Sequence, residues 1–234
     1  MATTMNSFLN SFNNKFEAPV RQHLKNVYGC LALSTVSAGV GASIHLFTDL
    51  LAAGFLTSIG AIALFFLLIG TPDNGKNTNL RLAYLLGFAG LSGLGMGPLL
   101  ETVIMINPSI IVTALIGTSV VFVSFTLCAM FAEQGRWLYL GGTLMTIMSS
   151  MMIMGLANLF IGSTLVYQVH LYLGLAVMCG FVLYDTQIII EKRRMGNKDF
   201  ITHAMDLFVD MIGIFRRLVI ILTQKEEDQR KRRN

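Results

Sequence analysis

Long uncharged apolar runs alternate with short polar interruptions along this chain. Seven apolar segments can be marked, at residues 27–48, 51–70, 80–106, 109–132, 137–160, 165–190 and 205–222. A membrane core about 30 Å thick requires about 20 helical residues at 1.5 Å each, and segments one to six reach that length. The seventh segment is shorter and more polar. The pattern predicts an all-α integral membrane protein with six or seven membrane-embedded helices.

The interruptions between the segments are short and rich in turn residues. Examples are the stretch 71–75, Asn107-Pro108 and the stretch 133–136. Tight connections favour antiparallel neighbours in a compact bundle. Segment three contains a GxxxG step at Gly93 and Gly97, which permits close helix contact. Pro98 follows directly, so we expect this helix to be kinked or interrupted there.

The composition agrees with a membrane protein and excludes a soluble globule. Hydrophobic residues make up 54% of the chain and charged residues only 13%, against about 25% charged in soluble domains. Nothing in the pattern indicates a nucleic-acid-binding protein, and the cysteines form no metal or cofactor motif, so we expect no cofactor. We divide the chain into a cytosolic N-terminal segment (1–26), a membrane bundle (27–222) and a basic C-terminal tail (223–234).

Basic residues predict the orientation of the bundle. Up to segment six, nearly all Lys and Arg lie in the N-terminal segment and in the loops on the same side of the membrane. The loops on the opposite side carry none. The positive-inside rule therefore predicts a cytosolic N-terminus. The basic tail conflicts with a spanning seventh segment, because it would then lie on the other side. The sequence leaves open whether segment seven spans or is re-entrant.

Three aspartates in the last two segments are the leading candidates for function, because ionisable residues inside a membrane are costly. Asp185 lies near the end of segment six, and Asp206 and Asp210 lie early in segment seven. In adjacent antiparallel helices Asp185 and Asp210 would lie at the same depth, roughly 7–8 Å inside the boundary. Asp206, Asp210 and Arg217 share one helical stripe, which belongs inside the bundle rather than against lipid.

Two carboxylates held this close cannot both ionise cheaply, so we expect them to share a proton and titrate as a unit. A shared proton would join helix six to helix seven, whereas the doubly ionised pair would repel or bind a cation such as calcium. Asp185 and Asp210 thus predict a pH-sensitive latch in a cation pathway. The plainer alternative is that Asp185 bonds to the backbone and Asp210 pairs with Arg216 or Arg217.

Other polar residues are weaker candidates. Glu101 is expected to cap or line the broken region near Pro98. His45 and His170 lie near membrane edges, where interfacial histidines are common. The basic tail either binds anionic lipid or only sets the topology.

Several motifs resemble the Bax inhibitor-1 family, also called the transmembrane BAX inhibitor motif-containing proteins, over nearly the whole chain. The similarity is greatest to the founding member, an endoplasmic-reticulum protein. The motifs are Gly93-Leu-Gly-Met-Gly97-Pro98-Leu-Leu-Glu101, Asn107-Pro108-Ser109-Ile110, Gly180-Phe-Val-Leu-Tyr-Asp185-Thr-Gln187-Ile-Ile189 and Asp206-Leu-Phe-Val-Asp210.

The resemblance implies a fold of six helices around a central seventh, and a calcium-permeable site at Asp185 and Asp210. Family members are described as pH-regulated calcium leak channels of the endoplasmic reticulum membrane and as suppressors of Bax-dependent apoptosis and ER-stress signalling. Implied partners are membrane lipids, Bcl-2-family proteins and ER-stress sensors. Bacterial relatives pair the aspartates with an arginine of the second helix, but residues 51–70 contain no basic residue. We therefore expect Arg217 or water to set the latch here.

Two other functions compete with the leak channel. A proton-coupled cation transporter would use the same aspartates, but the chain shows no inverted repeat. A membrane scaffold that regulates cell-death proteins would not need the aspartates at all. An enzyme is not expected, since an intramembrane aspartyl protease requires Gly-x-Gly-Asp where this chain has Leu207-Phe208-Val209-Asp210.

Overall fold

The computed structural model describes residues 15–48 and 53–233, so most of the predicted N-terminal segment (residues 1–14) and Asn234 lie outside the described part. Eight α-helices follow one another in this part, and no strand occurs in it. They are α1 (Ala18–Phe47), α2 (Phe55–Gly70), α3 (Thr78–Gly95), α4 (Gly97–Ile106), α5 (Ser109–Phe131), α6 (Leu140–Ile161), α7 (Thr164–Arg194) and α8 (Phe200–Arg233).

The third apolar segment is broken, as the Gly-Pro pair predicts. Helix α3 ends at Gly95, and α4 begins at Gly97 with Pro98 in its first turn, where the missing N–H is tolerated. The two helices meet at an angle of 41°. The bend carries the chain around the end of α1 instead of straight out of the bundle.

The all-α membrane class is confirmed, although the number of clear spans is smaller than seven. By length and composition four helices can cross a bilayer, namely α1, α5, α6 and α7, and the bent pair of α3 and α4 makes a fifth. Helix α2 is apolar but only 16 residues long. Helix α8 has 34 residues, but its charged residues weaken its membrane signal.

Helix α8 forms the centre of the bundle. It packs against α1, α3, α4, α5 and α7, while α2 packs on α3 and α6 packs on α7. Leu207, Phe208 and Ile214 of α8 are fully buried. Outer helices instead expose large apolar side chains, such as Phe160 at 92% exposure, as expected for a lipid-facing surface.

One unbroken helix carries the chain through the whole bundle at its C-terminal end. Helix α8 begins beside the start of α1, where His203 contacts His23. At its other end the Arg230 guanidinium donates to the Ile106 carbonyl at the end of α4. Segment seven is therefore not re-entrant in this structure, and the tail lies at the end of the bundle opposite the start of α1.

Helices α1 and α3 pack backbone to backbone through glycines. A Cβ atom on Gly41 would lie 1.9 Å from the Gly90 carbonyl oxygen, and one on Gly93 would lie 1.9 Å from the Ala38 carbonyl oxygen. Only a residue without a side chain fits at either position. This contact sets how closely the two helices approach beside α8.

Candidate functional site

The three aspartates come together at the interface of α7 and the central helix α8. The carboxyl groups of Asp185 and Asp210 are hydrogen-bonded to each other, and Asp206 lies within electrostatic reach of both. Asp210 is only 4% exposed, and its Oδ2 has no hydrogen-bond partner. The sequence placed Asp185 and Asp210 at the same depth on neighbouring helices, and in the structure the two side chains are in contact. A carboxyl–carboxyl hydrogen bond requires a proton between the two groups, so this contact fits a pair that shares one proton.

Neighbouring residues fix the helix that carries Asp185. The Gln187 side-chain amide donates to the carbonyls of Ala129 (3.2 Å) and Glu133 (3.0 Å), and its oxygen accepts from the Trp137 amide (2.7 Å). Gln187 therefore fastens α7 to the end of α5 and to the following loop. Two residues away, Asp185 is held on a rigid support.

Three buried hydroxyl groups meet between α1, α5 and α7, and one of them belongs to Thr186, which follows Asp185 in the sequence. The hydroxyls of Thr126 and Thr186 both lie next to that of Tyr28, and none of the three oxygens has a partner within normal hydrogen-bond geometry. Buried polar atoms of this kind mark places where water or an ion supplies the missing bonds. The α1–α5–α7 interface therefore contains a group of polar oxygens close in sequence to Asp185.

An ion-pair cluster closes the end of the bundle where α8 begins. We call it the N-side clamp and define it as Arg81, Asp199, Thr202 and Asp73. The Arg81 guanidinium donates to both Asp199 oxygens at 2.9 and 2.7 Å and to the Thr202 hydroxyl at 2.8 Å. Asp73 lies 3.4 Å away. The clamp ties α3 to the first turn of α8.

From the sequence, Arg81 counted only among the basic residues that predict the orientation, and Asp199 was not singled out. Arg81 is 2% exposed, so it belongs to the interior rather than to a solvated loop. One signal was available in the sequence, because Asp199 and Thr202 have the spacing of a helix N-cap. The Thr202 amide does donate to Asp199 Oδ1 at 3.1 Å. The pairing with Arg81, 118 residues away, leaves no comparable local signal.

The clamp predicts a stability change in acid. Burial by itself raises the pKa of Asp199, but hydrogen bonds from Arg81 and Thr202 outweigh it and hold the pKa below its usual value. The native state then binds fewer protons than the unfolded state near pH ~4, where free aspartate titrates. The clamp's stabilisation is complete above that pH and is lost as the pH falls through the native pKa of Asp199.

Thermal unfolding of the detergent-solubilised protein between about pH 6 and about pH 3 measures this effect. We expect Asp199→Asn to be less stable at the upper pH and to lose less stability in acid than the wild-type protein. Equal acid slopes for both proteins would show that Asp199 does not carry the effect.

Two buried histidines lie next to the clamp. His23 Nε2 and His203 Nδ1 are 2.9 Å apart, and both residues are at most 5% exposed. One proton between the rings makes a hydrogen bond, whereas a fully protonated pair would place two cations in contact. Neither histidine could be singled out from local sequence patterns, because the two are 180 residues apart.

The structure does not bring the predicted supporting residues to the aspartates. Arg217 Nη1 donates to the Gly213 carbonyl at 3.2 Å, and no ion pair to an acid is formed by Arg216 or Arg217 in the described ranges. Arg217 therefore does not take the place of the bacterial arginine, and neither arginine pairs with Asp210. Glu101 lies at the opposite end of the bundle, 3.4 Å from His45 Nε2, beside the break near Pro98.

No group of three or more His, Cys, Asp or Glu side chains within 15–48 and 53–233 has the geometry of a metal site. Asp185 and Asp210 alone offer at most four oxygens, fewer than the six to eight that calcium takes in protein sites. Binding at this pair would have to be completed by water.

Comparison with known proteins identifies the family. The profile of the family described as "Inhibitor of apoptosis-promoting Bax1" matches residues 20–227. The chain is 49% identical to "Probable Bax inhibitor 1" of Paralichthys olivaceus over 89% of its length and 88% of the relative's. It is 46% identical to "Bax inhibitor 1" of Homo sapiens (90% and 89%). For "Bax inhibitor 1" of Arabidopsis thaliana the identity is 37% (90% and 84%). The chain therefore belongs to the Bax inhibitor-1 family.

Proposed function

We propose that this protein is a pH-sensitive calcium leak channel of the endoplasmic reticulum membrane, with its N-terminus in the cytosol, that suppresses Bax-promoted cell death. The hydrogen-bonded carboxyl pair of Asp185 and Asp210, between α7 and the central helix, is the observation that carries the proposal. The names of the relatives support the role in cell death.

The chemistry of the pair couples proton uptake to the position of α8. With one shared proton, the two carboxyls hold α7 and α8 together. When that proton is lost, two negative charges face each other at low exposure, and Asp206 adds a third nearby. Separation of the helices or entry of a hydrated cation relieves this repulsion. Either response links the protonation state to a cation path along the central helix.

Calcium flux into liposomes that contain the purified protein tests the proposal. We expect a downhill flux that changes through a midpoint between about pH 6 and about pH 8, because the pair titrates as a unit. Asp185→Asn and Asp210→Asn should flatten this pH dependence. Asp228→Asn, an exposed position on the same α8 helix, is the matched control and should behave as wild type.

A silent wild-type protein, or aspartate variants that follow it at every pH, would contradict the leak channel. Protection from Bax-induced death in cells is a separate measurement on the same variants. If both asparagine variants protect fully although their flux is altered, the protective role is that of a scaffold and does not depend on the leak.

A further inference from the structure

A cavity that carries several cationic side chains lies between α7 and α8, away from the acidic pair. Its volume is about 310 Å³, and it is lined by Tyr167, His170, Leu171, Arg216, Arg217 and Ile220. Two guanidinium groups and an imidazole therefore converge on one space that contains no acidic residue in its lining. The proposed leak does not use this cavity.

The cationic groups of this cavity lack partners of opposite charge. Arg216 and Arg217 form no ion pair among residues 15–48 and 53–233, and one of the five N–H donors of Arg217 is bonded to the Gly213 carbonyl. His170 Nδ1 is buried without a hydrogen-bond partner. An arginine near a membrane without a counter-charge is costly, and a bound anion relieves that cost.

The position of the Arg217 side chain depends on a glycine of α7. A Cβ atom on Gly174 would lie 2.4 Å from Arg217 Nε and 2.8 Å from its Nη2. The guanidinium thus lies flat against the α7 backbone, at a place where a side chain is absent. This close packing fixes the group beside the cavity, which is the rigid arrangement that recognition of an anion requires.

The cavity lies beside exposed apolar side chains of α7. Arg217 lies half-way along the 34-residue helix α8. On α7 the lining residues come from the first two turns after Thr164. Neighbouring side chains Leu165, Val169 and Tyr172 are 69%, 45% and 56% exposed, so the cavity borders the lipid-facing surface.

We propose that this cavity binds a phosphate group, held by Arg216, Arg217 and His170. Guanidinium groups match phosphate oxygens with paired hydrogen bonds, and Tyr167 adds a hydroxyl. A lipid head group and a free phosphate ion share this chemistry. The proposal does not depend on calcium flux, so it can fail or succeed separately from the proposed function.

Thermal unfolding of the purified full chain in a neutral detergent tests the site with three probes. These are inorganic phosphate at constant ionic strength, short-chain phosphatidic acid, and short-chain phosphatidylcholine as the zwitterionic comparison. We expect phosphate or phosphatidic acid to raise the unfolding midpoint by roughly 3 °C, because a ligand that binds only the native state stabilises it. Arg217→Gln should lose this rise.

Two further variants make the test decisive. Arg216→Gln changes an exposed position, so it should lose the rise in the unfolding midpoint without the folding risk of the more buried Arg217. Lys225 is an exposed basic residue of the same helix outside the cavity, and Lys225→Gln should keep the rise. A rise with phosphate alone identifies a free-anion site, and one with phosphatidic acid only identifies a head-group site. No rise with either probe, an equal rise with phosphatidylcholine, or an equal loss in Lys225→Gln would overturn the proposal.

Discussion

Replacing Asp199 with alanine should destabilise the protein by about 3 kcal/mol, because removal of one partner leaves a buried charge uncompensated. The charge left behind is Arg81, whose side chain is 2% exposed and retains only Asp73 at 3.4 Å and the Thr202 hydroxyl. For a chain of this size the loss corresponds to a fall of about 6–12 °C in the unfolding midpoint. Thermal unfolding of the detergent-solubilised variant measures it.

A double-mutant cycle separates the ion pair from other effects of the substitution. Arg81→Met should cost less than Asp199→Ala, since it leaves Asp199 with a side chain that is 21% exposed and can reach water. The double variant should cost less than the sum of the two single variants, because neither charge is then left alone. Arg194→Ala, which breaks the more exposed pair with Glu191, should cost at most about 1 kcal/mol. Additive single effects would show that the clamp is not a coupled unit.

Gly93→Ala is expected to destabilise the protein by about 1–3 kcal/mol, because the added methyl group overlaps the backbone of α1. Its Cβ would lie 1.9 Å from the Ala38 carbonyl oxygen and 2.6 Å from the carbonyl carbon, and backbone atoms cannot rotate away. Gly41→Ala should behave in the same way against the Gly90 carbonyl. Both effects are read from the unfolding midpoint.

Two other glycines on the same helices provide matched controls, for which alanine is not expected to lower stability. A Cβ on Gly95 of α3 or Gly39 of α1 meets no atom within 4 Å. Alanine at these positions should leave stability unchanged or raise it by up to about 1 kcal/mol, since alanine favours helix over glycine. If Gly93→Ala and Gly95→Ala were equally stable, the close packing of α1 on α3 would not be present in the membrane protein.

The contact between the two aspartates is an example of a tertiary contact that local sequence patterns can predict. Asp185 and Asp210 lie at similar distances from the connection between segments six and seven, so helix geometry and an antiparallel turn were enough to predict their contact. Arg217 shows where that reasoning ends. Arg217 lies on the same face of its helix as Asp210, but the helical spacing does not predict which neighbouring helix each turn of that face contacts. In the structure the guanidinium lies against Gly174 of α7 and not beside the aspartates.

The sequence by itself determined the membrane class, the approximate helices, the break near Gly97-Pro98 and the shared level of the two aspartates, because each depends on hydrophobic runs or turn residues within one or two neighbouring segments. Only the tertiary structure decided that α8 passes unbroken through the centre. It also joined Arg81 to Asp199 and His23 to His203, across 118 and 180 residues. Such contacts depend on how helices pack in three dimensions, and residues far apart in the chain leave no local periodicity that records their pairing.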